Sequence, residues 1–422
     1  MFGFKNPLAT IENNIEVPRS LKGIVDVADN ESSAEMLGLT EHDREVIWGA
    51  VKKLYRTGAY PALSICIRRY GEILLNRSIG HAKGNGPDET GVPKIPATTE
   101  TPFCLFSASK AVTAMMIHLL EERNQINLMN PVSYYVPEFG SHGKKRITVQ
   151  QILSHRAGIA SFKDIDPEIL FHHDQVIELI CNAEPTNVTG RELAYHALTG
   201  GYVLGELVQR ITGESIREFL RVNVQEPMGM RNFNYGCPPE RFPEVATNYL
   251  TGLPVVFPAR QFIKRILGAE LATAIELSND PRFYQQIIPA GNMTATAEEC
   301  SRFFQCLLNG GEYEGQRIFQ PVTIERAVRE VNAMELDRTL LLPMRYSAGM
   351  MLGNYPIGLF GPAAPHAYGH IGLTNNFCWA DPERKLAVAL LTSGNPVLGS
   401  HLPYIGLLLT TISRRCKKVF RQ

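Results

Sequence analysis

The sequence predicts an α+β fold, in which an antiparallel sheet is flanked by terminal helices and a mostly helical lobe is inserted into it. Three observations lead there. Short apolar or alternating runs of strand type lie near both ends of the 422-residue chain. Helical periodicity dominates the middle. No internal repeat or low-complexity tract divides the chain into an array.

The elements follow in order. Residues 1–40 are polar and patternless and read as an N-terminal arm. From Glu41 to about Arg56 apolar residues recur at helical spacing (Val46, Ile47, Val51, Leu54), and Gly58 sits where a helix stop belongs. ALSICIRR (62–69) and EILLNRSIG (72–80) flank Tyr70-Gly71, the pattern of a β-hairpin. Residues 81–99 are rich in Gly, Pro, Thr and charge and read as loop. A mostly helical region follows over 107–335. Strand character returns in YSAGMML (346–352), NNFCWAD (375–381) and LAVALLTS (386–393). Asp381-Pro382-Glu383-Arg384 makes a turn between the last two. A final helix is expected over 397–415. The expected division is therefore the arm (1–40), an α/β lobe built from both chain ends (41–84 and 346–422) and a helical lobe (85–345).

Composition narrows the function. Lysine plus arginine total 42, as do aspartate plus glutamate, so the formal net charge is zero. A dedicated nucleic-acid binder would carry a basic excess. The eight cysteines form no C-x-x-C, so zinc-ribbon and thioredoxin-like readings have no support, and free, mostly buried thiols are expected. The N-terminus lacks a charged segment followed by an apolar core of about 7–15 residues, and no apolar run approaches ~18 residues. A cytoplasmic location without stable membrane insertion is the expectation.

The most informative segment is Phe106-Ser107-Ala108-Ser109-Lys110. Val112, Met115, Met116, Leu119 and Leu120 mark one face of the helix that follows. Lys110 then lies one turn beyond Ser107 on the same side. A serine hydroxyl is a poor nucleophile until a base takes its proton, and a desolvated lysine can be that base. The helix N-terminus adds N–H groups and partial positive charge. A second S-x-x-K, Ser141 to Lys144, sits among Gly140, Gly143 and Lys145 with no apolar helix after it, and reads as a solvated loop.

Two further segments bear on Ser107. Tyr195, in Ala194-Tyr195-His196-Ala197, precedes a helical stretch (200–213) and could serve as a second base or relay; the alternative is a core tyrosine. Tyr368-Gly369-His370-Ile371-Gly372-Leu373 precedes the NNFCWAD run. Its glycines allow close backbone approach, and the N–H groups of Leu373 and Ser107 could form an oxyanion hole; the alternative is an ordinary turn.

In this order the three segments resemble the motifs of the serine β-lactamase and penicillin-binding-protein superfamily, class C-like, with the nearest likeness to family VIII carboxylesterases. The resemblance runs over roughly 45–413. It rests also on ITVQQILSHRAGI (147–159), GGYVLGELVQRITGESIREFLRVNVQEPMGM (200–230), PAGNMTATAEECSRFFQCLLNGG (289–311) and GHIGLTNNFCWADPERKLAVALLTSGN (369–395). It implies a β-lactamase/transpeptidase-like fold. Ser107 and Lys110 match the first motif, Tyr195 the second, and His370-Ile371-Gly372 the third, which implies a substrate-binding role for His370 and Gly372.

The chain departs from the lactamase pattern at two points. Ala197 stands where lactamases usually carry asparagine, and His370 replaces a lysine whose charge binds carboxylates. Both departures resemble the esterase branch. The resemblance thus implies a serine hydrolase cleaving carboxylic esters through an acyl-enzyme on Ser107, acting on a small-molecule ester with no metal or cofactor. Acyl transfer on the same groups, weak β-lactamase or peptidase activity, and a catalytically silent binding protein remain open, as does the oligomeric state. The G-x-S-x-G elbow of α/β-hydrolases is absent.

Other residues have plainer readings. His155 is expected to bond backbone at a helix end. His172-His173-Asp174 reads as a solvated loop, and the basic run Arg414, Arg415, Lys417, Lys418, Arg421 as a helix end. Substrate contacts are expected from 81–100, 236–268 and 336–345, with Phe257, Phe262 and Phe283 lining an apolar pocket.

Overall fold

The computed structural model describes residues 12–159, 166–373 and 375–419. Helix α1 (Glu41–Tyr55) begins at Thr40, whose hydroxyl accepts the Asp43 N–H while the Asp43 carboxylate accepts the Thr40 N–H. That reciprocal cap fixes the start of the helix. Strands β2 (Ala62–Arg69) and β3 (Glu72–Lys83) form the expected hairpin. Tyr70 and Gly71 both adopt positive φ, 55° and 95°, as a two-residue turn between twisted strands requires.

The C-terminal strands complete the sheet. In chain order they are β4 (Met351–Leu352), β5 (Tyr368–Gly372), β6 (Asn376–Asp381) and β7 (Leu386–Thr392). With β1 (Val25–Val27) the antiparallel order is β1-β3-β2-β7-β6-β5-β4, and Ile95–Pro96 adds a short strand beside β3. The two chain ends therefore meet at the centre, where Val388 faces Ile67 across β7 and β2.

Side-chain size alternates across this sheet. Leu63, Ile65, Ile67, Trp379, Val388 and Leu390 pack with residues of α1 and the C-terminal helix (Leu402–Arg415). Ala62, Cys66, Cys378, Ala380, Ala387 and Ala389 point the other way. On that face their small size admits a helix at close range, the 12-residue segment Ala297–Leu308.

Several expectations change. The N-terminal arm is not patternless structure throughout. Val25–Val27 pairs with β3, and Ile15, Leu37 and Leu39 are buried. Three residues are too few to show a period. The helical lobe is also not one spatial unit, since helix Ala297–Leu308 lies inside 85–345 yet packs on the sheet. Of 346–352 only Met351–Leu352 is a strand. β3 runs to Lys83, past the expected end at 80.

Lys144 is not solvated. Its ammonium is buried and donates to the Cys181 carbonyl at 2.9 Å and to that of Ala183. It thus caps the helix His173–Asn182. All eight cysteines are free, and seven are buried. Arg415 pairs with Asp43 and Lys418 with Glu383, while Arg421 lies outside the described residues. Among the described residues, no helix is long and apolar enough to cross a membrane.

Candidate active site

The nucleophile turn is built on a three-stranded sheet within the helical lobe. Phe103–Cys104 pairs with Met293–Ala295, which also pairs with Asn234–Tyr235. The chain then turns sharply. Phe106 has φ 47°, a strained value for an aromatic residue that costs roughly 1–3 kcal/mol. Buried Ser109 holds the turn, donating its hydroxyl to the Phe106 carbonyl at 2.6 Å and accepting the Met293 N–H at 3.2 Å. Ser107 lies in the 3-10 turn Phe106–Ala108, just before the helix Ser109–Glu122. It sits slightly earlier than the first helical turn foreseen, and half-exposed.

Lys110 is buried, and its amine lies 3.0 Å from the Ser107 hydroxyl and 3.0 Å from the Ala290 carbonyl. Desolvation pushes it down from 10.5 to about 7. A fraction of the amine near half is then neutral at pH 7, with a lone pair available.

Tyr195 arrives on an extended segment tied down residue by residue. Ala194 N–H bonds the His155 carbonyl at 2.9 Å, Tyr195 N–H the Asp337 carboxylate at 3.1 Å, and His196 N–H the Nδ1 of His155 at 3.1 Å. The Lys110 amine lies 5.0 Å from the Tyr195 ring centroid. Burial pushes the phenol up, and the Ser107 hydroxyl acts in the opposite direction. The structure therefore brings Ser107, Lys110 and Tyr195 together. His155 has the backbone-bonding role expected of it.

The third segment behaves differently from expectation. His370 is fully buried, with its ring 6.1 Å from that of Tyr195. Its Nδ1 donates to the Ile371 carbonyl at 2.9 Å, and burial pushes it down to about 3. A neutral, fully buried imidazole presents neither a charge nor an exposed surface for the substrate contact that was expected of it. Gly372 also acts through packing. A Cβ there would lie 2.1 Å from the Leu105 carbonyl oxygen, so only glycine lets β5 rest on the nucleophile turn. Asn376 fastens the same contact, donating to the Cys104 carbonyl at 2.8 Å.

Leu373 and Ser107 line one cavity of about 100 Å³. Its other walls are almost wholly apolar and include Leu170, Leu277, Phe283 and Ile288. Phe283 is where the sequence suggested. Phe257 is 74% exposed and stands elsewhere. The walls come mainly from 166–170, 267–277 and 283–291, and of the expected windows only 236–268 reaches the cavity, through Leu267 and Gly268. The 336–345 window instead supports Tyr195. Asp337 is fully buried and accepts the N–H groups of Tyr195, Thr339 (2.8 Å) and Leu340 (3.0 Å). The sequence shows only a local Asx turn at Asp337; its bond to Tyr195 spans 142 positions.

A serine–lysine pair on this mixed fold defines the β-lactamase/transpeptidase-like class of hydrolases. The Beta-lactamase family model matches residues 49–407, and the chain belongs to that family. It is 29% identical over 327 residues to the esterase/beta-lactamase LipL of Mycobacterium tuberculosis, covering 74% of this chain and 75% of that protein. The crystal structure of a penicillin-binding protein homolog from Caulobacter crescentus matches with a TM-score of 0.74 at 26% identity, over 87% of this chain and 96% of the other. A family VIII carboxylesterase structure matches in fold, with a TM-score of 0.76 at 24% identity, over 89% of this chain and 98% of the other.

Proposed function

We propose that the protein is a serine carboxylesterase that works through an acyl-enzyme on Ser107. The observation that carries this reading is the Lys110 amine, buried, depressed to about 7 and 3.0 Å from the Ser107 hydroxyl. In its neutral form it takes the Ser107 proton as the oxygen attacks the ester carbonyl. The N–H groups of Ser107 and Leu373 hold the oxyanion. The alcohol leaves with a proton returned from Lys110 by way of the Tyr195 hydroxyl. Water then attacks the acyl carbonyl, giving its proton to the same pair, and Ser107 is released.

The apolar cavity beside Ser107 supports an uncharged acyl group. So does the neutral His370, which offers no cation for a carboxylate. The relatedness to an esterase/beta-lactamase is in keeping with this chemistry. The test is turnover of p-nitrophenyl butyrate with intact-mass detection of the acyl-enzyme. Wild type is expected to gain the acyl mass on Ser107 and Ser107→Ala to lose both signals. A Ser107→Ala protein that hydrolyses the ester at the wild-type rate would sink the proposal.

A further inference from the structure

Lys110 also lines a second space, of about 20 Å³, which shares no wall residue with the acyl cavity. Lys110, Thr113, His155 and His196 are its polar walls, and Ile152 and Leu204 are among the apolar ones. A polar space needs about 10–15 Å³ to hold one water, and that water needs at least two polar partners.

The hydrogen-bond inventory of the walls is uneven. The Thr113 hydroxyl is already engaged with the Tyr235 hydroxyl at 2.8 Å and the Pro289 carbonyl at 2.6 Å. His155 Nδ1 is taken by the His196 N–H. The His196 ring is different. It is fully buried, and neither of its nitrogens makes a well-formed hydrogen bond. Such groups are rare in folded proteins and call for a specific explanation. Its Nδ1 faces Gly200, where a Cβ would stand 3.2 Å away. The Ile152 carbonyl lies beside the ring and offers an acceptor for one N–H. A neutral imidazole then keeps one lone pair unsatisfied.

Lys110 has the complementary need. A neutral amine carries two N–H groups and one lone pair. Two of its three directions meet the Ser107 hydroxyl and the Ala290 carbonyl. The lone pair can face Ser107 only if both N–H groups find acceptors elsewhere. Ala290 supplies one. The second cavity, which Lys110 lines, is where the other can find its acceptor.

We propose that this cavity holds one ordered water, which accepts the second N–H of Lys110 and donates to His196. His196 is thereby a positioning residue that turns the Lys110 lone pair toward Ser107. The same water solvates the ammonium formed when Lys110 takes the proton. No covalent step is added to the reaction. The titratable groups lining this site are Lys110, His155 and His196; Tyr195 packs against His155, with His370, Asp337 and Tyr346 around the tyrosine. Burial holds the three histidines neutral at working pH, so His196 stays an acceptor throughout. The catalytic consequence rests on the esterase reading, whereas the water site does not.

The test joins a high-resolution crystal structure of the wild type to pH profiles of kcat/KM for wild type, His196→Leu and His196→Gln. One water within hydrogen-bond distance of both Lys110 Nζ and His196 is expected. His196→Leu is expected to lose roughly tenfold or more in kcat/KM, the worth of one misdirected hydrogen bond. Its acid limb should also move to lower pH, because the ammonium loses a partner. A purely structural role for His196 would not move that limb. His196→Gln, which keeps a donor and an acceptor, should restore both rate and limb.

A dry cavity in the wild-type crystal would overturn the proposal, as would a His196→Leu enzyme with unchanged rate and limb. If His196→Leu does not fold, the crystal and the His196→Gln profile decide. Absence of both ester turnover and fluorophosphonate labelling of Ser107 in the wild type would defeat the esterase reading instead, and the crystal would still decide the water.

Discussion

Replacing Lys110 by methionine should abolish activity and stabilise the fold, with a pH dependence that identifies the cause. Lys110 is buried without a carboxylate against it, and desolvation lowers it from 10.5 to about 7. Below pH 7 both native and unfolded chains hold its proton, and the native state carries the full cost of burying the charge. That cost is ~5 kcal/mol, at ~1.4 kcal/mol per pH step of one. Between 7 and 10.5 the unfolded chain binds a proton that the native chain does not. Wild-type stability therefore rises with pH across that window. Methionine is one heavy atom shorter and has no charge to bury, but it forfeits the bonds to Ser107 and Ala290, worth about 1 kcal/mol each. Lys110→Met should thus be ~3 kcal/mol more stable than wild type at pH 6–7 and less stable by ~2 kcal/mol above pH 10.5, crossing near pH ~9. Urea unfolding of both proteins at a series of pH values measures the difference, and groups common to both cancel. Activity gives a second reading, since kcat/KM of the wild type should rise with pH and level off above about 7. A stability difference that stays flat from pH 6 to 11 would refute a buried Lys110 whose proton affinity desolvation has lowered.

Three other outcomes follow from the same structure. Asp337→Ala removes the acceptor of three N–H groups, Tyr195, Thr339 and Leu340, the first two of them buried; it should cost roughly 3 kcal/mol in urea unfolding and reduce kcat more than it raises KM. Arg384→Ala leaves the Asp381 carboxylate buried without its 2.8 Å partner and should cost about 3–5 kcal/mol, with no change in the pH profile of the remaining activity. Leu277→Trp fills part of the cavity beside Ser107; the ratio of octanoate to acetate ester kcat/KM should fall roughly tenfold or more, while the acetate value holds.

How much of this was legible in the sequence depended on distance along the chain. The 62–83 hairpin could be read because strand period and turn residues are local. Ser107 and Lys110 could be read because their spacing places them on one side of a single helix. The strain at Phe106 could not, since it comes from a carbonyl held by Ser109, which is itself held by Met293, 184 positions away. The burial of Lys144 is hidden from the sequence for a related reason. Its neighbours Gly140, Gly143 and Lys145 describe an exposed turn, and the carbonyls it caps belong to Cys181 and Ala183. The cavity walls come mainly from three separate stretches, none of which carries a pattern of its own. His370 was found, but its burial depends on the sheet.

The placement of Asp337 bears on why Lys110 can work as a base. A carboxylate against an amine favours the ammonium and would hold the lysine charged. This fold buries a carboxylate nearby, yet spends it on backbone. Asp337 is occupied by three N–H groups and the Tyr346 hydroxyl at 3.4 Å, and it supports Tyr195 through the peptide. The amine meets only neutral atoms, the Ser107 hydroxyl and the Ala290 carbonyl, with neutral imidazoles beyond. Burial alone then sets its proton affinity. The zero net charge of the whole chain has no bearing on this balance. What matters is that the charges stand one residue layer away from the nucleophile, where they can fix geometry without fixing the proton.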